Sequence, residues 1–166
     1  MFFRKGVVSL LIFSLSLLII PTNVLAAELN LPNLLVTPNN YIFYSLIRLT
    51  EKGLIFTKIS KESKVDYFKE LTLKRLAELK YVVDNKLLGE IQQSSQRLSY
   101  QIGILSDYIN TNQSQLSKQK LDTKNLLNNY QELLGNLRDQ YPANSSYWML
   151  IQHDINSLNI NLEKLK

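Results

Sequence analysis

The sequence contains few side chains that could carry out acid–base or metal chemistry. His153 is the only histidine, and the chain has no cysteine. A zinc site needs three or four ligands, and neither Asp154 nor Glu163 shares a helical face with His153. The five glycines do not form a phosphate-binding or dinucleotide-binding motif. We therefore expect no cofactor and no metal, and we interpret His153 as a solvated helix residue.

Paired carboxylates, the groups that glycosidases use, occur in one part of the chain. Glu62, Asp66 and Glu70 are spaced four residues apart, which places them on one side of a helix. Basic residues surround them, namely Lys61, Lys64, Lys69 and Lys74. A solvated, salt-bridged surface accounts for this pattern better than a catalytic dyad does. We therefore expect that the protein is not an enzyme.

One charged residue interrupts an apolar stripe. Arg75 falls between Leu71 and Leu79 in a predicted helix, where a charge must be paired or must extend its head group to the edge. We hypothesise that Glu51 pairs with Arg75 and fixes how two helices dock. The alternative is that Arg75 points to the edge of the stripe. In both cases its role is structural.

An aromatic pair follows the last proline of the chain. Tyr147 and Trp148 begin the final predicted helix, a few residues after Pro142. They could form an anchor for a protein partner, or they could close one end of a helical bundle. The nine tyrosines of the chain fit the edges of helical stripes, where an apolar ring and a wet hydroxyl both belong. We expect no nucleic acid and no small-molecule ligand.

Met1 to Ala26 has the three-part layout of a secretory signal peptide. Two basic residues precede an apolar run over residues 7–20, and Val24 and Ala26 fit the small-residue rule for cleavage between Ala26 and Ala27. The run is 14 residues long, whereas a membrane-spanning helix needs about 20 apolar residues. The alternative is an uncleaved signal in which residues 7–20 anchor the protein in the membrane. We expect an exported protein, extracellular or in the cell envelope.

The rest of the chain has the length of one domain. Removal of residues 1–26 takes away two basic residues and lowers the formal charge from +5 to +3, so the mature protein is only mildly cationic. We expect an extended lead-in over residues 27–40 and a single helical domain over residues 41–166. No stretch alternates at period two, so no sheet is predicted.

Apolar residues at three- and four-residue steps predict five helices. Their expected bounds are about 41–56, 61–85, 88–109, 116–140 and 146–165. The first would bury Phe43, Leu46, Ile47 and Leu54, and the third has a heptad seam from Leu88 to Ile109. Residues 110–117 are polar and predict a connection, although one long helix could also run through them. The expected fold is all-α, a small bundle of about five antiparallel helices with coiled-coil-like seams.

An ordered set of motifs lies between Leu31 and Leu105. It consists of Leu31-Pro32-Asn33, Thr37-Pro38-Asn39, Tyr44-Ser45-Leu46-Ile47-Arg48-Leu49, Glu51-Lys52, Phe56-Thr57 and Arg75-Leu76-Ala77-Glu78. This set resembles the bacterial family catalogued as domain of unknown function 5667, over about half of the mature chain. The resemblance implies an exported or membrane-tethered helical module, and it brings no known chemistry.

These observations favour a function based on contact. We expect a non-enzymatic extracytoplasmic helical module with a structural or protein–protein interaction role in the bacterial envelope. It would act through protein partners or through self-association by helical faces, with no membrane span after signal cleavage. The alternative is an envelope-stress sensory, regulatory or chaperone-like binding module.

Overall fold

The computed structural model describes residues 29–166, and this part of the chain is all-α, as predicted. It contains five α-helices and no strand. The helices are α1 (Tyr41–Leu54), α2 (Lys61–Asp84), α3 (Leu88–Thr111), α4 (Ser117–Arg138) and α5 (Ser146–Lys164). A 3₁₀ turn, Ile55–Thr57, follows α1. The predicted signal peptide and its cleavage site between Ala26 and Ala27 lie outside the described residues.

The four long helices form the bundle, and α1 lies beside it. α2 packs mainly on α3, α3 on α5, and α5 on α4, while α2 and α4 make a lighter contact. The connections 85–87, 112–116 and 139–145 are short, so successive helices run antiparallel. The core therefore comes from α2 to α5, with α1 as an addition to one side.

The seam of α3 is buried inside the chain. Leu98, Ile102, Leu105 and Ile109 are fully buried in the main core cluster, together with residues of α2, α4 and α5. The predicted heptad pattern is therefore confirmed over most of α3. Leu88 is the exception, because it is the first residue of the helix and is 44% exposed. The seam of α3 is therefore occupied by contacts within the chain.

The polar segment after α3 breaks the helix. α3 ends at Thr111 and α4 begins at Ser117, so the alternative of one long helix is wrong. The Asn112 side-chain amide donates a hydrogen bond to the Tyr108 carbonyl at 2.8 Å. Leu116 is fully buried in the core and fixes the connection at its far end.

The orientation of α1 is opposite to the prediction. Phe43 and Leu46, expected inside, are 60% and 56% exposed, and Leu54 is 47% exposed, while Ile47, also expected inside, is half-buried. The buried residues of α1 are Tyr44 and Glu51. Their partners are charged groups of α2 that are themselves buried, and an ion removed from water requires an ionic or polar neighbour. α1 therefore turns its polar side inward and leaves its apolar side in solvent.

A serine caps the last helix, and this gives a direct test of the local structure. Ser145 Oγ accepts a hydrogen bond from the Trp148 backbone N–H at 3.1 Å. We expect Ser145→Ala to lower the free energy of unfolding by about 1 kcal/mol, because the N–H loses its partner. Urea denaturation would measure the change. Ser146→Ala, one residue into the exposed start of α5, is the matched control, and an equal loss there would contradict the capping role.

Candidate functional site

The structure brings Glu51 and Arg75 into direct contact. Arg75 Nη2 donates a hydrogen bond to one Glu51 carboxylate oxygen, and Lys74 Nζ lies 2.5 Å from the other carboxylate oxygen. Arg75 Nη1 donates to Glu78 and, at 3.0 Å, to the Tyr44 hydroxyl. These five residues form a polar cluster between α1 and α2.

The members of the polar cluster form hydrogen bonds with one another. The Tyr44 hydroxyl donates to Glu78 at 2.7 Å, and the Tyr67 hydroxyl donates to the Glu51 carbonyl at 3.0 Å. Burial, and then the Glu78 charge, raise the pKa of Tyr44 despite the opposing charge of Arg75. Burial works against the charge of Arg75, but Glu78 and its other partners outweigh this and hold the pKa of Arg75 above its ordinary value.

The chemistry of the polar cluster is structural. Arg75 is 3% exposed and Glu78 is fully buried, so these groups face each other and not a solvent-filled cleft. A general acid or nucleophile must reach a substrate, and here the lone pairs and protons are already used within the protein. The arrangement supports the docking role that the sequence suggested for Glu51 and Arg75.

Tyr147 and Trp148 are both half-buried at one end of the bundle. The ring of Tyr147 lies 5.4 Å from that of Tyr141, and the Arg138 guanidinium lies 5.1 Å from the centre of the Trp148 ring. Because both rings already have partners within the chain, this geometry favours closure of the bundle end over a partner anchor.

Most of the exposed large apolar side chains of the described chain lie in α1 or next to it. Of fourteen large hydrophobic side chains exposed in the described chain, nine lie between residues 35 and 59. Five of them form what we call the apolar face of α1: Ile42, Phe43, Leu46, Leu49 and Leu54. Phe56 and Ile59, 88% and 95% exposed, continue it along the chain. A concentration of this kind marks an interaction surface more often than scattered apolar residues do.

A cationic cleft adjoins the apolar face. Arg48 and Lys52 of α1 and Arg97 of α3 line an open cavity of about 360 Å³, together with Tyr44, Ser45 and Leu49. A second cavity of about 600 Å³ shares Arg48 and Arg97. The Arg97 guanidinium stacks 4.7 Å from the Tyr44 ring centre. Within residues 29–166, none of the three cations has a carboxylate within 4.0 Å.

The guanidinium groups of the cationic cleft also keep unused hydrogen-bonding capacity. Arg97 donates to Gln93 Oε1 at 2.6 Å through Nη2, but its Nη1 and the Nη1 of Arg48 are buried and have no hydrogen-bond partner in the described part. Sequence reasoning missed this site, because an arginine among glutamines on α3 is typical of any solvated helix face.

Sequence reasoning also missed a buried acid in the bundle. Asp154 is fully buried on α5, and one carboxylate oxygen accepts a hydrogen bond from Ser99 Oγ at 2.6 Å while the other has no partner. Burial raises the pKa of Asp154 to about 7, against the lowering effect of Ser99 and Ser95. A signal was present, since Asp154 lies three residues after Ile151 and four before Leu158, on the core stripe.

The described part of the chain, residues 29–166, contains neither a metal-binding cluster nor a helix that could span a membrane. No group of three or more metal-binding side chains occurs there, and His153 is exposed on α5. None of the five helices has the length and apolar content of a membrane span. Comparison with protein-family models, with curated proteins and with solved structures found no match to this chain.

Proposed function

We propose that this protein is a non-enzymatic, exported helical module of the bacterial envelope that acts by surface contact. The observation that carries this proposal is the apolar face of α1, of which three side chains lie on the side of the helix opposite the docked Tyr44 and Glu51, while Phe43 and Leu54 lie between the two sides. A helix held by its polar side presents its apolar side outward, as a contact element does.

The bundle supports the same proposal by leaving few other candidates. The seams of α2 to α5 are used in the core, and Tyr147 and Trp148 pack within the chain. The polar cluster is closed on itself, which favours a role other than catalysis. We therefore assign the proposed contact in the envelope to α1. This contact is with a partner or with a second copy.

The proposed location depends on the leader, Met1 to Ala26. Its layout supports export, followed by cleavage before Ala27 or by anchoring through residues 7–20. In either form the helical domain is placed outside the cytoplasm, next to envelope components.

The decisive experiment removes the apolar face and keeps the fold. We expect the double variant Phe43→Ser, Leu46→Ser, expressed with its leader in a bacterium and followed as the cleaved form that begins at Ala27, to shift mainly from the envelope fraction to the soluble exported fraction. Both side chains are more than half exposed, so the free energy of unfolding should change by less than about 1 kcal/mol. Cell fractionation and circular dichroism would measure these two properties.

The matched control lies on the far side of the molecule. Leu121 on α4 is 60% exposed, and Leu121→Ser should leave the fractionation unchanged. If wild type and double variant distribute alike, α1 is not the contact surface and the proposal fails.

A chaperone-like module is the second candidate, because an exposed apolar surface is what such a module uses. It predicts that the wild-type chain, but not the double variant, suppresses aggregation of several unrelated unfolded proteins. Selective retention in the envelope without that activity favours the structural role.

A further inference from the structure

We propose that the apolar face of α1 lies on an anionic lipid surface and that the cationic cleft beside it holds lipid phosphate groups. This inference rests on the proposed function and names what the contact surface touches.

The shape of α1 suits the plane of a membrane interface. The helix is attached to the bundle by Tyr44 and Glu51, so the bundle covers one side only. The exposed side carries the apolar face, and Phe56 and Ile59 continue it along the chain. A helix with one broad apolar side, aromatic and aliphatic, and basic residues at its borders is typical of peptides that lie in the plane of a membrane interface.

The cationic groups lie at one border of the apolar face. Leu49 belongs both to the apolar face and to the wall of the cationic cleft, so the two surfaces meet. A lipid whose acyl chains cover the apolar face has its phosphate at the level of that border. There it would find Arg48, Lys52 and Arg97, which have no carboxylate partner within residues 29–166 and can donate charge-assisted hydrogen bonds to phosphate oxygens.

The segment that contains α1 carries a net positive charge, and the neighbouring acid Glu90 is buried beside Tyr41. Residues 29–61 contain four basic side chains and one acidic side chain. The acidic one, Glu51, is bound by Arg75 and Lys74. The basic ones are Arg48, Lys52, Lys58 and Lys61. The exposed charge of this segment is therefore positive, which favours an anionic surface over a neutral one.

The same charges argue against a second copy as the occupant. A symmetric dimer through the apolar face would bring the same patch of each copy together. With the two helices antiparallel, Arg48 and Lys52 of one chain would then approach the same cations of the other. Such a contact places like charges around an apolar centre, whereas a lipid surface offers opposite charge at the border and hydrocarbon in the middle.

The test uses the purified full chain and lipid vesicles. We expect sedimentation with vesicles made of equal parts phosphatidylglycerol and phosphatidylcholine, and binding to pure phosphatidylcholine weaker by about tenfold or more. Phe43→Ser with Leu46→Ser should weaken binding to the anionic vesicles by at least about tenfold. Arg48→Gln with Arg97→Gln should do the same and should also reduce the salt dependence of binding.

Matched controls separate the site from general properties of the chain. Lys118→Gln with Lys120→Gln removes the same net charge from α4, and Leu121→Ser removes an exposed apolar side chain there; both should bind like wild type. Equal binding to the two kinds of vesicle, or an equal loss in the α4 variants, would overturn the inference. Persistence of binding in the apolar-face variant would do so too, because it would assign binding to another apolar segment such as residues 7–20.

Failure of this inference is distinguishable from failure of the proposed function. A folded chain that ignores vesicles but loses its envelope retention with Phe43→Ser, Leu46→Ser contacts a protein instead. Light scattering that shows a dimer dependent on the same two residues identifies a second copy. A thermal shift with inorganic phosphate alone, without vesicle binding, reduces the cationic cleft to a site for free phosphate. Each of these results would overturn the lipid assignment.

Discussion

Arg75→Met should lower the free energy of unfolding by about 3–5 kcal/mol. Methionine fills a similar volume but carries no charge, so the Glu51 and Glu78 carboxylates would lose the cation between them. Glu78 is fully buried, and an unpaired ion in that position is costly. The Tyr44 hydroxyl would also lose a donor. Urea denaturation at neutral pH would measure the change.

Two further variants identify the cause of that loss. Arg138→Met is the matched control, since Arg138 also pairs with a carboxylate, that of Asp139, but both groups are partly exposed; its cost should be much smaller than that of Arg75→Met. Adding Glu51→Gln and Glu78→Gln to Arg75→Met should recover part of the stability, because no buried charge then remains. If the triple variant is no more stable than Arg75→Met, lost packing and not charge explains the effect.

The second large effect concerns pH and Asp154. Its pKa in the folded protein, about 7, exceeds its ordinary value of 3.8. Between these two pH values Asp154 therefore stays protonated in the folded state, whereas it is ionised in the unfolded state. The free energy of unfolding must therefore fall as the pH rises from about 4 to about 7. The total loss is on the order of 4 kcal/mol, and above this range the free energy of unfolding no longer changes through Asp154.

Asp154→Asn should remove this dependence. The amide keeps the shape and can accept the hydrogen bond from Ser99, but it does not ionise. The variant should match wild type near pH 4, within about 1 kcal/mol, and should be more stable by a few kcal/mol at pH 8. Denaturant titrations across this range would show the two curves separating. Asp122→Asn, exposed on α4, should run parallel to wild type, and parallel curves for Asp154→Asn would contradict the raised pKa.

The bundle was predictable because its helices follow the rule that apolar residues go inside. In α2, α3 and α5 the runs of apolar residues at three- and four-residue steps are long. They indicate both that the segment is helical and which of its sides is buried. The break after Thr111 was also readable, since residues 110–117 carry almost no apolar residues to continue the stripe. These features depend on local sequence alone, which is why the sequence predicts them.

α1 departed from the prediction because its orientation depends on another helix. Its apolar stripe would normally be buried, but Arg75 and Glu78 of α2 are buried and need polar partners. Tyr44 and Glu51 supply them, and one helix cannot turn both sides to the bundle. The Glu51–Arg75 hypothesis contained part of the information needed, because a helix that docks through Glu51 must place Leu46, about 140° around the helix from it, in solvent.

The cationic cleft and the buried Asp154 were not predicted for a related reason. Arg48 and Arg97 are 49 positions apart in the sequence, and each is ordinary on its own helix. Only the packing of α1 beside α3 brings them to one cavity. Asp154 was visible on the core stripe, but a single acid at a stripe position can also lie at its edge, and only the neighbouring Ser99 shows that it is inside.

The attachment of α1 also divides the domain into two levels of local stability. The bundle is held by an apolar core of four helices, whereas α1 is joined to it chiefly through ion pairs and tyrosine hydroxyls. Such contacts can open while the core stays intact, so α1 is a separate cooperative unit with its own, smaller free energy of opening. Its backbone amides should exchange with solvent by local opening, while those of α3 wait for global unfolding. The protein can therefore release or re-seat one helix without unfolding the rest.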